Sequence, residues 1–227
     1  MKYLALLILT ISATLSIART SNTSNYEKLS QIRQLDRFSF GSCNKEYLEM
    51  NLWGQILADQ PQLFMWGGDN IYGDKGDNVG NLREKYNQQN SKVGYQELKR
   101  RTPIIGIWDD HDYGINDAGA ENPNKEENKH HLLDFLEVPL NAAVRHRDGI
   151  YQDYTFGTNN KVKFIMLDNR YNLTKDNVLG ENQWHWLEEQ LKISNAKIHF
   201  IVGGISIIGA KVPKSNNGPT TLVSNSA

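Results

Sequence analysis

The 227 residues are enough to bury one ordinary core, as a single domain or two small ones. Twenty-five basic side chains stand against 26 acidic ones, a net charge of −1, which argues against a nucleic-acid binder with its basic face. A hydrophobic share of 39% with five Trp excludes a mainly disordered chain, and the single cysteine, Cys43, excludes a disulfide framework or a multi-cysteine metal cluster.

The chain opens with the layout of a secretory signal peptide over residues 1–18. Lys2 supplies the positive start, Tyr3 to Leu9 is apolar, and Ser16-Ile17-Ala18 has the small-x-small form of a cleavage site. Four Ser and Thr before Ala18 interrupt the stretch, whereas a stable membrane span wants about 20 apolar residues. The mature chain then starts near Arg19 and is expected in the secretory lumen or outside the cell. The sequons at Asn22 and Asn172 are compatible with that destination.

Strand and helix signals alternate from there. Arg37 to Ser42 reads as a short strand with Phe38 and Phe40 on one face. Leu48, Leu52, Ile56 and Leu57 fall at helical spacing, and Pro61 ends that helix. Leu63 to Trp66 reads as a buried strand, and residues 82–101 as helix with a break at Gly94. Ile104 to Trp108 is the next buried strand, and Asn124 is placed to cap a helix running to about Leu136. Ile150 to Phe156 and Lys161 to Leu167 suit a hairpin across Gly157–Asn160. Gly180 to Ile193 is amphipathic, with Trp184, Leu187 and Leu191 on one stripe, and Ile198 to Val202 is the last strand. The alternation predicts an α/β fold, a sheet flanked by helices.

Chemistry-bearing residues follow the strands. Ser42-Cys43-Asn44 comes after the first, Gly68-Asp69-Asn70-Ile71-Tyr72 after the second, Asp109-Asp110-His111-Asp112 after the third and Asp168-Asn169-Arg170 after the hairpin. Ligands of open α/β sheets bind outside the carboxyl ends of strands. So many carboxylates aimed at one edge repel one another unless one or two metal ions sit between them. Each cluster alone has an ordinary reading. Asp69 suits a turn, the Asp109–Asp112 run suits a helix start, Cys43 suits a small buried hydrophobe, and His130, His131 and His146 suit surface or packing positions. Their repetition at successive strand ends carries the functional reading.

Gly41-Ser42-Cys43, Gly68-Asp69-Asn70-Ile71-Tyr72, Trp108-Asp109-Asp110-His111-Asp112-Tyr113-Gly114 with Asn116-Asp117, Leu167-Asp168-Asn169-Arg170 and the segment Leu179 to Leu191 together resemble the alkaline phosphatase D-like (PhoD-like) metallophosphatases. The resemblance runs from about Phe38 to Gly204, within a partial domain bounded at 36–209. It implies the calcineurin-like metallophosphoesterase two-sheet sandwich flanked by helices. It also implies iron (Fe3+) and calcium as cofactors, with Cys43 as a thiolate ligand to iron, Asp69 as a bridging carboxylate, Tyr72 as a phenolate and Asp110 as a ligand of the second site. Thiolate and phenolate are anionic donors suited to ferric iron, while calcium prefers oxygen. His111 is then the group beside the scissile phosphate, and Asp109 takes the place of Asp110 if the register shifts by one. Asn116 is a neutral ligand or a phosphate contact. Arg170 either meets a phosphate oxygen or locks its loop.

One departure qualifies the resemblance: the family closes its site with a later Gly-Asp-x-His segment, and the last histidine here is His199. Residues 210–227 read as an irregular polar tail. The expectation is therefore a fold incomplete at its C-terminus, with an exposed edge strand and weak or absent turnover. Two functions are carried forward: a metal-dependent hydrolase of phosphate esters, and a secreted non-catalytic fragment or binding module. A third, Cys43 as a nucleophile, lacks a general base nearby in sequence.

Overall fold

A computed structural model describes residues 23–205. The signal peptide, the Asn22 sequon and the 210–227 tail lie outside the described residues. Among the described residues, two three-stranded sheets replace the single sheet expected from the alternation. The first takes β1 (Phe38–Gly41), β2 (Leu63–Gly67) and β3 (Ile104–Ile107) in that order, all parallel. The second takes β4 (Gln152–Phe156), β5 (Val162–Met166) and β6 (Ile198–Val202), with β4 antiparallel and β6 parallel to β5. The alternation hid this because a hairpin strand and a crossover strand look alike in hydrophobic pattern. The sheets meet through Phe38, whose ring stands edge-on to Phe164 and to Phe200 at 5.1 Å each.

Parallel strands need crossovers, and helices supply them. α1 (Asn25–Ser30) precedes β1, and α2 (Trp53–Ala58) joins β1 to β2. α3 (Leu82–Ser91) and α4 (Val93–Arg101) join β2 to β3. α5 (Asp110–Tyr113) and α6 (Lys125–Phe135) follow β3, and α7 (Glu181–Ile193) joins β5 to β6. Asn25 finishes the outer side of β3. Its amide donates to the Ile104 and Leu136 carbonyls at 2.7 and 3.0 Å and accepts from the Ile104 N–H at 2.7 Å.

Three sequence expectations shift here. The helix expected from Leu48 starts at Trp53; Leu48 and Leu52 are exposed, and the buried anchor is Trp53, packed on Phe64, Trp66 and Tyr95. The break in 82–101 falls at extended Lys92 rather than Gly94. Gly94 serves closeness instead, since a Cβ there would lie 2.6 Å from the Cβ of Trp53. On α7, Trp184 and Leu191 face outward while Gln183 and Leu187 are buried. Gln183 is inside because its amide accepts from the Asp168 N–H and donates to the Asp168 carbonyl, both at 2.8 Å. Asn124 does cap α6 by position, but no side-chain hydrogen bond accompanies it.

The register places the site. Gly41 lies opposite Trp66 and Gly67 opposite Ile107, so β1, β2 and β3 release their following loops at one edge. The end of β5 is brought there by the Trp108 indole, which donates to Asp168 at 2.9 Å.

Candidate metal centre

The loops after β1 and β2 are bound to each other by backbone: the Cys43 N–H donates to the Gly68 carbonyl at 3.2 Å and the Asn44 N–H to the Asp69 carbonyl at 2.8 Å. Both turns are strained, with Cys43 at φ 56° and Asp69 at φ 52°. A left-handed conformation costs a non-glycine residue about 1–3 kcal/mol and concentrates at functional sites. Gly68, at φ +102°, lets the third loop close in, because a Cβ there would stand 2.8 Å from the Cβ of Asp109.

Asp112 ties these loops together. Fully buried, its carboxylate accepts from the Asp109, Asp69 and Asn70 N–H groups at 2.7, 3.2 and 3.1 Å. It is a latch behind the site, although its place in the Asp109–Asp112 run suggested a fourth converging carboxylate. Asp168 has the same character. It accepts from the Trp108 indole and from the Ile150, Arg170 and Tyr171 N–H groups, each at 2.9 Å.

In front of these latches, Asp69, Asp110 and His111 each offer a donor atom, all within 4.8 Å of one another. The thiol of Cys43 lies 3.6 Å from Asp69 Oδ2. The Tyr72 ring lies against His111, tilted by 30° with centroids 4.2 Å apart. Five of the residues singled out in the sequence thus come together. Asn116 stays at the rim, exposed and bonded to Asp117 at 2.7 Å; the Asp117 N–H in turn donates to Asp110 at 2.8 Å. Arg170 is engaged as a lock, with its Nε 2.6 Å from Asp109 and its second nitrogen 3.9 Å from Asp110. Asp109 is thereby committed to Arg170, which leaves Asp110 as the carboxylate in the cluster.

Electrostatics supply the test of fit for a metal. Burial and then the charge of Asp110 push Asp69 up to about 6, against the pull of His111. Burial works on Asp110 in the same direction but is outweighed by the Asp117 N–H, Arg170 and His111, which hold it below the usual carboxylate range. Burial and the nearby Asp69 raise both the Cys43 thiol and the Tyr72 phenol. The three upward shifts, at Asp69, Cys43 and Tyr72, report buried donors with too little positive charge among them. A multivalent cation reverses all of these upward shifts at once. Carboxylates, imidazole, thiol and phenol together form a donor set that fits a transition metal on the thiol side and a harder ion on the carboxylate side.

Sequence reasoning missed three supporting groups. Glu46 is buried, accepts from the Tyr72 N–H at 2.8 Å and pairs with buried Lys85 at 3.0 Å. Lys85 also donates to the Lys75 carbonyl at 2.7 Å, so this pair fixes the loop carrying Tyr72. Asp74 lies 2.7 Å from Nδ1 of His111 and orients the ring. Asp74 had a sequence signal, being two residues past the quoted Gly-Asp-Asn-Ile-Tyr motif. Glu46 and Lys85, 39 residues apart, had none.

A family model described as PhoD-like phosphatase matches residues 38–226. A solved structure of PhoD is similar with a TM-score of 0.58 at 17% sequence identity, over 74% of this chain and 41% of that one. The chain therefore spans about two fifths of the length of that structure, and at this identity the likeness is one of fold. No curated protein matches the sequence.

Proposed function

The chain belongs to the PhoD-like phosphatase family, and from that premise we propose a secreted, metal-dependent phosphoric ester hydrolase built on the calcineurin-like arrangement of two sheets. The observation that carries the reading is the meeting of Asp69, Asp110 and His111 within 4.8 Å, with Cys43 3.6 Å from Asp69. Cys43, Asp69 and Tyr72 would hold iron, and Asp69 and Asp110 calcium. Such ions supply Lewis acidity toward a phosphoryl oxygen and a nucleophile at neutral pH.

The chain's own residues do the positioning. Asp112 holds the Asp69 and Asp109 loops in register through backbone N–H groups. Arg170 neutralises Asp109 and steadies Asp110, so the cluster is not overloaded with negative charge. Asp74 fixes the tautomer of His111 by accepting from Nδ1–H, which leaves Nε2 as the working nitrogen beside the leaving oxygen. Asn116, exposed at the rim and donating its amide to Asp117, would turn that amide to a phosphate entering past Asp110. Secretion rests on the leader reading of residues 1–18. Among the described residues no helix is long and apolar enough to cross a membrane.

The test is hydrolysis of p-nitrophenyl phosphate and bis(p-nitrophenyl) phosphate by the purified chain loaded with iron and calcium. Turnover should vanish with chelator and fall about 10²–10⁴-fold in His111→Ala with metals retained. Cys43→Ala should lose most of the iron. Metal and phosphate binding without turnover would make the chain a binding module instead, and turnover indifferent to chelator would remove the metal from the reaction.

A further inference from the structure

We propose that Lys45 and Lys75 are substrate-recognition residues that bias this site toward phosphomonoester dianions over diester monoanions. The inference deepens the phosphoesterase reading and rests on it. Both lysines are mounted on loops that carry donors of the centre. Lys45 follows Cys43 by two residues and Lys75 follows Tyr72 by three. Their ammonium groups lie 5.8 and 5.4 Å from the centroid of the Tyr72 ring, and that of Lys75 is 3.1 Å from Nε2 of His111.

The backbones beneath them are held. The Lys75 N–H donates to the Tyr72 carbonyl at 3.3 Å, and its own carbonyl accepts from Lys85 at 2.7 Å, which buried Glu46 anchors. The Lys45 carbonyl accepts from the Leu48 N–H at 2.9 Å, next to the Asn44 bond to the Asp69 loop. Both side chains are exposed, and among the described residues neither ammonium has a carboxylate partner within 4.0 Å. Two cations without carboxylate partners, one of them hydrogen-bonded to His111, at the mouth of a cluster rich in carboxylates are out of keeping with a site that serves its carboxylates alone.

With Nδ1 of His111 held by Asp74 and Nε2 facing Lys75, a phosphate oxygen that approaches His111 also meets the Lys75 ammonium. Lys45 reaches the same mouth from the Cys43 loop. An ammonium attracts a dianion about twice as strongly as a monoanion at equal distance. Removing both lysines should therefore cost the diester about the square root of what it costs the monoester.

The experiment uses the metal-loaded chain and the variants Lys45→Gln, Lys75→Gln, their double and Lys75→Arg. In the double variant KM for p-nitrophenyl phosphate should rise about tenfold and KM for bis(p-nitrophenyl) phosphate about threefold, on the scale of one to two exposed charge contacts. In Lys45→Gln kcat should move less than KM, metal content should be unchanged in every variant, Lys75→Arg should recover most of the monoester loss, and calorimetry should show inorganic phosphate weakened about tenfold in the double variant. Equal losses on the two esters, unchanged KM values or loss of metal would overturn the proposal. If the wild-type chain hydrolyses neither ester, the phosphoesterase reading falls by itself. Phosphate calorimetry then decides on the lysines, and binding undiminished in the double variant overturns their role.

Discussion

Replacing Asp168 separates a latch from a ligand. In the structure Oδ1 accepts from the Trp108 indole and the Arg170 and Tyr171 N–H groups, and Oδ2 accepts from the Ile150 N–H, all at 2.9 Å. Asp168→Asn can keep an oxygen toward the first three, but its NH2 then faces the buried Ile150 N–H. One charge-assisted bond is lost and a donor is orphaned, a cost of about 3 kcal/mol. For a domain of this size that lowers Tm by about 6–12 °C. Asp168→Ala orphans all four donors at about 1–3 kcal/mol each, comparable with the whole stability of a domain, and should not fold. The assay is a thermal melt of the Asn variant by circular dichroism, with metal content measured on the folded fraction. The reasoning predicts a lower Tm with metal per folded chain unchanged. A Tm within about 2 °C of wild type would refute it, and metal loss at unchanged Tm would make Asp168 a ligand.

Lys85→Met strands the buried Glu46 carboxylate and should cost about 3–5 kcal/mol in urea unfolding, much of it recovered by adding Glu46→Gln; no recovery would mean that Lys85 acts through packing. With Asp69 raised to about 6, the folded chain binds more protons than the unfolded chain between its ordinary value of 3.8 and that pH. Metal-free stability therefore falls as pH rises through this window, by at most about 3 kcal/mol before solvent screening. Asp69→Asn should remove that decline, and parallel pH profiles for the two proteins would contradict it. Gly94→Ala should destabilise by about 1–3 kcal/mol because its Cβ meets Trp53, against the gain of about 0.5–1 kcal/mol that an open helix position would give. A higher Tm for that variant would show that α4 has room to move.

Most strands were legible because they are short apolar runs closed by glycine or polar residues, and four of them, β1, β2, β3 and β5, release their functional residues where the pattern places them. The second sheet was not legible in the strand pattern and was expected only from the family resemblance. Nothing local in Ile198 to Val202 tells whether it pairs with β3 or, as found, with β5. The α2 start was misplaced because Leu48 and Leu52 imitate helical spacing in a turn, while the anchor is a single tryptophan. Around the centre, the donors announced themselves by motif. The latches Asp112 and Asp168 looked like more donors, since a carboxylate that accepts backbone N–H groups and one that awaits a cation have the same letter. Glu46 and Lys85 carry no local signal, because only the fold closes the 39 residues between them.

The central claim is that Asp69 and Asp110 hold a metal ion. Elemental analysis after loading with iron and calcium and exhaustive dialysis tests it, on the wild-type chain and on Asp69→Asn combined with Asp110→Asn. Circular dichroism on both confirms that each is folded. The account predicts metal retained by the wild type and lost by the double variant. A wild-type chain that emerges free of metal, or a double variant that keeps the wild type's full complement, would contradict it.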